Sequence, residues 1–196
     1  MKKYTVFFLL FIAFNSNGQS WVKSYDFVDE FAFGLAKVSK GEKFGYVNTK
    51  GELVVPLIYD EAMTFREGKA TVRINKNWGY LDSTGKVIDE LKYEEAGCFR
   101  DSLAVVRLHG KFGYINHSFK TVIPYQYEGA RGFSEGLAPV SNSKGLWGYI
   151  DKKGHLVFDY QYNFADFFVE GNARVMKNGA IILIDKKGKQ VKEPND

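Results

Sequence analysis

The 196-residue chain has a single cysteine, three histidines and four prolines. One thiol cannot form an internal disulfide, so no disulfide frame holds this fold together. Cys98 stands just before a repeated phenylalanine. The equivalent places elsewhere hold Glu30, Thr64, Gly132 and Phe167, which is too tolerant a column for a catalytic thiol. His109, His117 and His155 are not spaced as metal ligands, and neither a metal site nor a cofactor is expected. A phosphate-cradling glycine loop and a nucleophile elbow are both missing. Neither sign of charge dominates: 27 Lys and Arg face 23 Asp and Glu, a formal net charge of +4. That balance gives no electrostatic case for nucleic acid.

Long apolar runs are also scarce, and the one that exists lies at the start. Lys2 and Lys3 precede the apolar tract Val6–Phe14, which is too short for a bilayer span of ~20 residues. Ser16 and Gly18 supply small residues ahead of a cut before Gln19. Residues 1–18 therefore read as a secretory signal peptide, with a retained anchor as the alternative. Its removal takes away two lysines, and no stable membrane insertion is expected afterwards. The protein should be exported, to the periplasm or beyond the cell.

What is abundant is repetition. Tyr25, Tyr59, Tyr93, Tyr127 and Tyr162 open five copies of one pattern of about 34 residues. Six residues on come Phe31, Phe65, Phe99, Phe133 and Phe168. Then follow Ala36, Ala70, Ala104, Ala138 and Ala173, each with a valine two residues later. An aromatic–Gly–Tyr triplet closes four copies: Phe44-Gly45-Tyr46, Trp78-Gly79-Tyr80, Phe112-Gly113-Tyr114 and Trp147-Gly148-Tyr149. Such a unit must lie against its neighbours to bury its apolar side.

Within a copy, Lys69–Ile74 alternates as a half-buried strand does, and Trp78–Leu81 has strand character. Asp82-Ser83-Thr84-Gly85 is a tight turn in which Asp caps and Gly takes the left-handed position. The same turn recurs at residues 48–51, 151–154 and 185–188. Asn116-His117-Ser118-Phe119 departs from it, so either another turn is used or Phe119 is displaced to cover something. The connector Tyr-x-x-Ala-x-x-Phe suits a 3₁₀-like turn or a polyproline-like passage. The glycine before the repeated tyrosine marks a bulge or a close approach, with a ring from the adjacent copy as the expected neighbour.

These units resemble the WG-repeat (also called KWG-repeat) family. Lys76–Asp82, Gly145–Gly154, Glu67–Val72 and Glu135–Val140 carry the resemblance, which covers about residues 25–191. It implies an all-β repeat module common in exported bacterial proteins, and no catalytic set. The expected architecture is five three-stranded units over residues 19–191 in an open solenoid-like stack, followed by a polar tail, 192–196. A closed five-bladed propeller-like ring is the alternative. The end copies differ from the rest, as caps do: Phe33 replaces an acid, and Ile181-Ile182-Leu183 replaces the triplet.

The acids recur too. Asp26, Asp60, Glu94 and Glu128 follow leading tyrosines, while Glu67, Asp101, Glu135 and Glu170 precede the alternating strands. Repeated places suit turn capping better than a catalytic pair, which occurs once. Arginine is the uneven feature. Arg66 and Arg100 are equivalent, as are Arg73 and Arg107, and together they suggest a basic strip for an acidic glycan or carboxylate-bearing peptide. Salt bridging to Glu67 and Asp101 is the competing explanation. The sequence thus reads as a non-enzymatic binding or scaffolding module of the cell envelope with an unknown protein or glycan partner. The alternative is a glycan-active enzyme using a carboxylate pair between repeats.

Overall fold

The computed structural model describes residues 20–191. The expected signal peptide and polar tail lie outside them. After a short 3₁₀ helix, Ser20–Ser24, all regular structure is β. The first sheet contains β1 (Phe27–Ala32), β2 (Leu35–Lys40), β3 (Lys43–Asn48) and β4 (Leu53–Tyr59). The second contains β5 (Glu61–Ala62), β6 (Lys69–Ile74), β7 (Asn77–Asp82) and β8 (Val87–Tyr93). The third has β9 (Glu95–Ala96), β10 (Leu103–Leu108), β11 (Lys111–Asn116) and β12 (Thr121–Tyr127). The fourth has β13 (Gly129–Ala130), β14 (Leu137–Ser141), β15 (Trp147–Asp151) and β16 (Leu156–Tyr162). The last has β17 (Phe164–Ala165), β18 (Asn172–Lys177), β19 (Ala180–Asp185) and β20 (Gln190–Val191).

Each sheet is an antiparallel meander of four strands, not three. The connector read as a turn or polyproline passage is the missing innermost strand. Glu61 and Ala62 pair with Arg73 and Val72, and Glu95 and Ala96 with Arg107 and Val106. The pairing was hidden because two residues are too few to show alternation.

Successive sheets lie face to face. At each of the four junctions the phenylalanine of one unit meets the triplet tyrosine of the unit before. Ring centroids are 5.0 Å apart for Tyr46–Phe65, 5.3 Å for Tyr80–Phe99, 4.9 Å for Tyr114–Phe133 and 5.0 Å for Tyr149–Phe168. Because an inner sheet is covered on both faces, the expected half-buried alternation gives way to burial of Ala70, Thr71 and Val72 alike. The polar Thr71 is tolerated because its Oγ1 donates to the Gly97 carbonyl at 3.3 Å.

The triplet glycine sits at a bulge, where the pairing of β11 with β12 shifts between Phe112 and Tyr114. What presses on it is the outer strand's own backbone. A Cβ at Gly113 would stand 2.8 Å from the Ile123 carbonyl oxygen, and one at Gly79 2.9 Å from that of Asp89. The ring expected from a neighbouring copy is not the reason.

Phe119 keeps the turn of its siblings. Its φ is 59°, and its N–H donates to the Asn116 carbonyl at 2.8 Å, as Gly85 does to Asp82 at 2.9 Å. Its ring covers Tyr80 and Phe99, at 5.5 and 6.1 Å. At the other junctions that place belongs to Val55, Ile123 and Phe158 of the preceding outer strand. The second sheet has Asp89 there, which turns to accept from Tyr93 Oη at 2.7 Å. The next unit therefore supplies the apolar group.

The array curls. Turns from four successive units line one cavity, so the units surround an axis in the manner of propeller blades and do not run on as a straight solenoid. It does not close. Phe31 is 39% exposed where its four equivalents are 3% or less, and Ile181 of the last sheet is 68% exposed. The last sheet, expected to end the array as a cap, thus leaves an apolar face uncovered among the described residues. The first sheet is partly capped: the Trp21 ring occupies the space above Gly51, where Val55 meets Gly85 and Ile123 meets Gly154.

Candidate functional site

The cavity at the axis is built by the innermost hairpins. Each has two residues, Phe33-Gly34, Glu67-Gly68, Asp101-Ser102, Glu135-Gly136 and Glu170-Gly171, all with positive φ. Paired left-handed residues are the geometry of a tight hairpin whose twist matches its strands. The flanking residues close it: Arg66 N–H donates to the Lys69 carbonyl at 2.9 Å and Lys69 N–H returns the bond at 3.0 Å. In this conformation the acid reaches forward to the next unit. Ser102 N–H donates to Glu67 at 3.2 Å, Gly136 N–H to Asp101 at 2.7 Å and Gly171 N–H to Glu135 at 3.1 Å. The inner turns are thereby tied into a chain.

The resulting cavity, about 400 Å³, has phenylalanine walls, Phe33, Phe65, Phe99 and Phe133, with Arg66 and Arg100 at its lining. Among the described residues neither arginine has a carboxylate within 4.0 Å. The Arg100 guanidinium lies 5.6 Å from the Phe167 ring centre, a cation–π contact that leaves its N–H edge available. His117 stacks on Phe99 at 4.4 Å and meets Glu67 at 2.8 Å.

Arg73 and Arg107 are elsewhere. They sit at the far ends of β6 and β10, four residues or about 13 Å along the strand from Lys69 and Leu103, the residues bridged to Arg66 and Arg100. Arg73 Nε donates to Glu61 at 3.1 Å, and Arg107 Nη1 to Glu95 at 2.8 Å. Their guanidiniums cover Trp78 and Phe112. The four arginines therefore form two separate pairs, not one strip. The salt-bridge partners are the inner-strand acids, not Glu67 and Asp101. Sequence spacing placed equivalent residues in line but could not show that a strand separates the pairs.

The recurring acids are mostly occupied. Asp26 accepts from Gly41 N–H at 2.7 Å and Glu94 from Gly110 N–H at 3.1 Å. Lys43 and then the Asn75 N–H hold the Asp60 carboxyl below the usual range, and Lys186 and Gly171 do the same for Glu135. Cys98 is tucked against Met63 and Thr71, and burial pushes its thiol up. Among the described residues no group of three or more His, Cys, Asp and Glu could hold a metal ion, and no helix is long and apolar enough to cross a membrane. The phenylalanine wall, Phe33 included, and His117 are the parts of the site that sequence reasoning missed. The recurrence of Phe65, Phe99 and Phe133 marked them as packing residues, and their second role at the axis had no separate signal.

Comparison with known proteins fits this geometry. The family model described as WG containing repeat matches residues 44–78, 78–112, 112–144 and 147–179. No curated protein matches the chain in sequence. Among solved structures, Hsv2 of Kluyveromyces marxianus is similar at a TM-score of 0.57 and 12% identity, covering 83% of this chain and 60% of Hsv2. The extracellular domain of the one-component system BT4673 from B. thetaiotaomicron gives 0.53 and 14%, covering 85% and 28%. BamB from Moraxella catarrhalis gives 0.50 and 11%, covering 83% and 58%. The chain thus spans about three fifths of the Hsv2 structure, and the likeness concerns fold alone.

Proposed function

Because the chain belongs to the WG-containing repeat family, whose repeated residues here serve packing, we propose that it is a non-catalytic binding module of the cell envelope. Its ligand carries carboxylates and is held at the axial cavity. One observation carries this reading: Arg66 and Arg100 line the same aromatic-walled cavity without an ionic partner among the described residues. A guanidinium offers a planar fork to a carboxylate, and the flanking rings exclude water from the pair. Arg73 and Arg107, neutralised by Glu61 and Glu95, are assigned to structure. Export to the periplasm or beyond belongs to the same proposal and is supported by the amino-terminal pattern and by the extracellular domain among the similar structures.

Calorimetric titration with oligogalacturonate and with a glutamate-rich peptide tests it. The paired change Arg66→Ala and Arg100→Ala should weaken binding at least about tenfold, the loss of a charge-assisted contact, while Arg73→Ala leaves it in place. Binding that ignores the first pair refutes the assignment.

A glycan-active enzyme is the second reading, favoured by Glu67 and Asp101 lining the same cavity. Both already accept backbone N–H groups, which leaves less of each carboxylate free for acid–base work. Release of reducing ends from a polysaccharide panel, abolished by Glu67→Gln in a folded protein, would establish it.

A further inference from the structure

A four-stranded meander sends its turns alternately to two faces. The inner hairpins therefore share a face with the turns that lead into the outer strands β4, β8, β12, β16 and β20. Contacts between the two sets of turns agree: Lys186 Nζ lies 2.9 Å from Glu135, and His117 Nε2 2.8 Å from Glu67.

The outer turns of this face carry exposed lysines in every unit, at Lys50, Lys86, Lys120, Lys153 and Lys187. The acids that open these turns are folded inward. Asp82, Asp151 and Asp185 each accept two N–H groups of their own turn. Just beyond each turn stands a branched aliphatic residue in all five units: Val54, Ile88, Val122, Val157 and Val191. Three of these, with their neighbours Leu53, Val87 and Leu156, are between 37% and 47% exposed. The opposite face also has exposed lysines, Lys40, Lys76 and Lys144, but further cations on it are neutralised. There Lys43, Arg73, Arg107 and Lys111 are each ion-paired, to Asp60, Glu61, Glu95 and Glu128.

Among the described residues, one face thus combines lysine tips outside any ion pair with uncovered aliphatic side chains around its rim. We propose that this face is a peripheral docking surface for an anionic lipid bilayer. The lysines would meet headgroup phosphates, and the aliphatic side chains would enter the boundary between headgroups and acyl chains. A single lysine beside a single valine is too weak an anchor. Four such pairs on one rigid arc, at Lys50, Lys86, Lys120 and Lys153, engage together, so the second and later contacts form at high effective concentration. The residues concerned are distinct from Arg66 and Arg100, and the inference does not depend on the cavity's ligand. It also differs from insertion: nothing spans the bilayer.

Co-sedimentation with phosphatidylcholine vesicles containing about a third phosphatidylglycerol tests it. The protein should pellet with these vesicles and stay in solution with pure phosphatidylcholine. Raising salt from about 0.05 to about 0.5 M should weaken binding, since exposed charges are screened. Lys152→Glu with Lys153→Glu should reduce binding about tenfold or more, at the scale set by reversing two surface lysines. Val122→Ser with Val157→Ser should reduce it measurably at constant charge. Both pairs are exposed, so circular dichroism should show an unchanged fold. Lys76→Glu, on the opposite face, is the control and should have no effect. Absence of binding overturns the proposal. So does an equal loss with Lys76→Glu, which would mean diffuse charge attraction, or indifference to the valine changes, which would mean that no side chain enters the lipid.

Discussion

Tyr46, Tyr80, Tyr114 and Tyr149 show what a single residue does in this protein. Each is fully buried, packs its ring on the next unit's phenylalanine, and spends its hydroxyl on a carbonyl of that unit. Tyr46 Oη donates to Met63 at 2.6 Å, Tyr80 to Gly97 at 2.8 Å, Tyr114 to Arg131 at 2.8 Å and Tyr149 to Asp166 at 2.7 Å. Burial raises the phenol pKa of all four above the ordinary value. The sign follows from linkage: the fold favours the neutral phenol, so its stabilisation is whole below the unfolded pKa of about 10 and is lost as pH rises beyond it. These tyrosines should ionise only as the chain unfolds. In an alkaline titration, the late phenolate absorbance and the loss of β-sheet circular dichroism should rise as one transition above pH ~10. Full tyrosine ionisation with the sheet signal intact would contradict this. The aromatic–Gly–Tyr pattern made the tyrosine visible as a packing residue; the carbonyl it binds lies in the connector of the next copy, at no spacing a sequence marks.

At the scale of the element, the exchange between Asp89 and Phe119 is the clearest case of two sheets sharing one packing site. The aliphatic or aromatic group that β4, β12 and β16 place under the following turn is replaced in β8 by Asp89, and the turn itself contributes Phe119. Phe119→Gly should cost about 3 kcal/mol, the range for deleting a packed aromatic ring. Asp89→Val should also destabilise, because Tyr93 Oη loses its acceptor, Lys92 loses its ion pair, and the apolar place on Tyr80 is already taken by the Phe119 ring. Together the two changes restore the arrangement of the other junctions. The double variant should therefore lose at least about 1 kcal/mol less than the two single losses combined, measured by urea denaturation. Simple additivity would show that the two positions do not share a site. The sequence flagged Phe119 as anomalous, and with that half of the matter was legible. The other half, Asp89, looked like one more surface acid until the sheets were placed together.

For the whole molecule, the governing fact is that each unit is stabilised by two neighbours except at the ends. Among the described residues the first sheet has only the Trp21 cap on its outer side, and the last leaves Val169 and Ile181 uncovered. Repeat arrays of this kind open from their ends. Amide hydrogen exchange should be slowest in the central strands β6, β10 and β14 and faster in β2 and β18. Trp21→Ala should accelerate exchange in β2 while leaving β18 unchanged. Equal protection across all five sheets would instead indicate that the two ends are covered in solution.

The five-fold period, the strand character of each unit and the capped turns follow from the sequence alone, because they depend on contacts within a few residues or on one pattern repeated in phase. Local chemistry suffices for them: Asp or Asn at the turn start, glycine at the left-handed place, apolar residues spaced for one face. The fourth strand, the curl of the array, the separation of Arg66 and Arg100 from Arg73 and Arg107, and the gathering of phenylalanines at an axis were decided only when the sheets packed. Each depends on the distance and angle between units, and these are set by many side chains interlocking across junctions, with no trace in the spacing of any one of them.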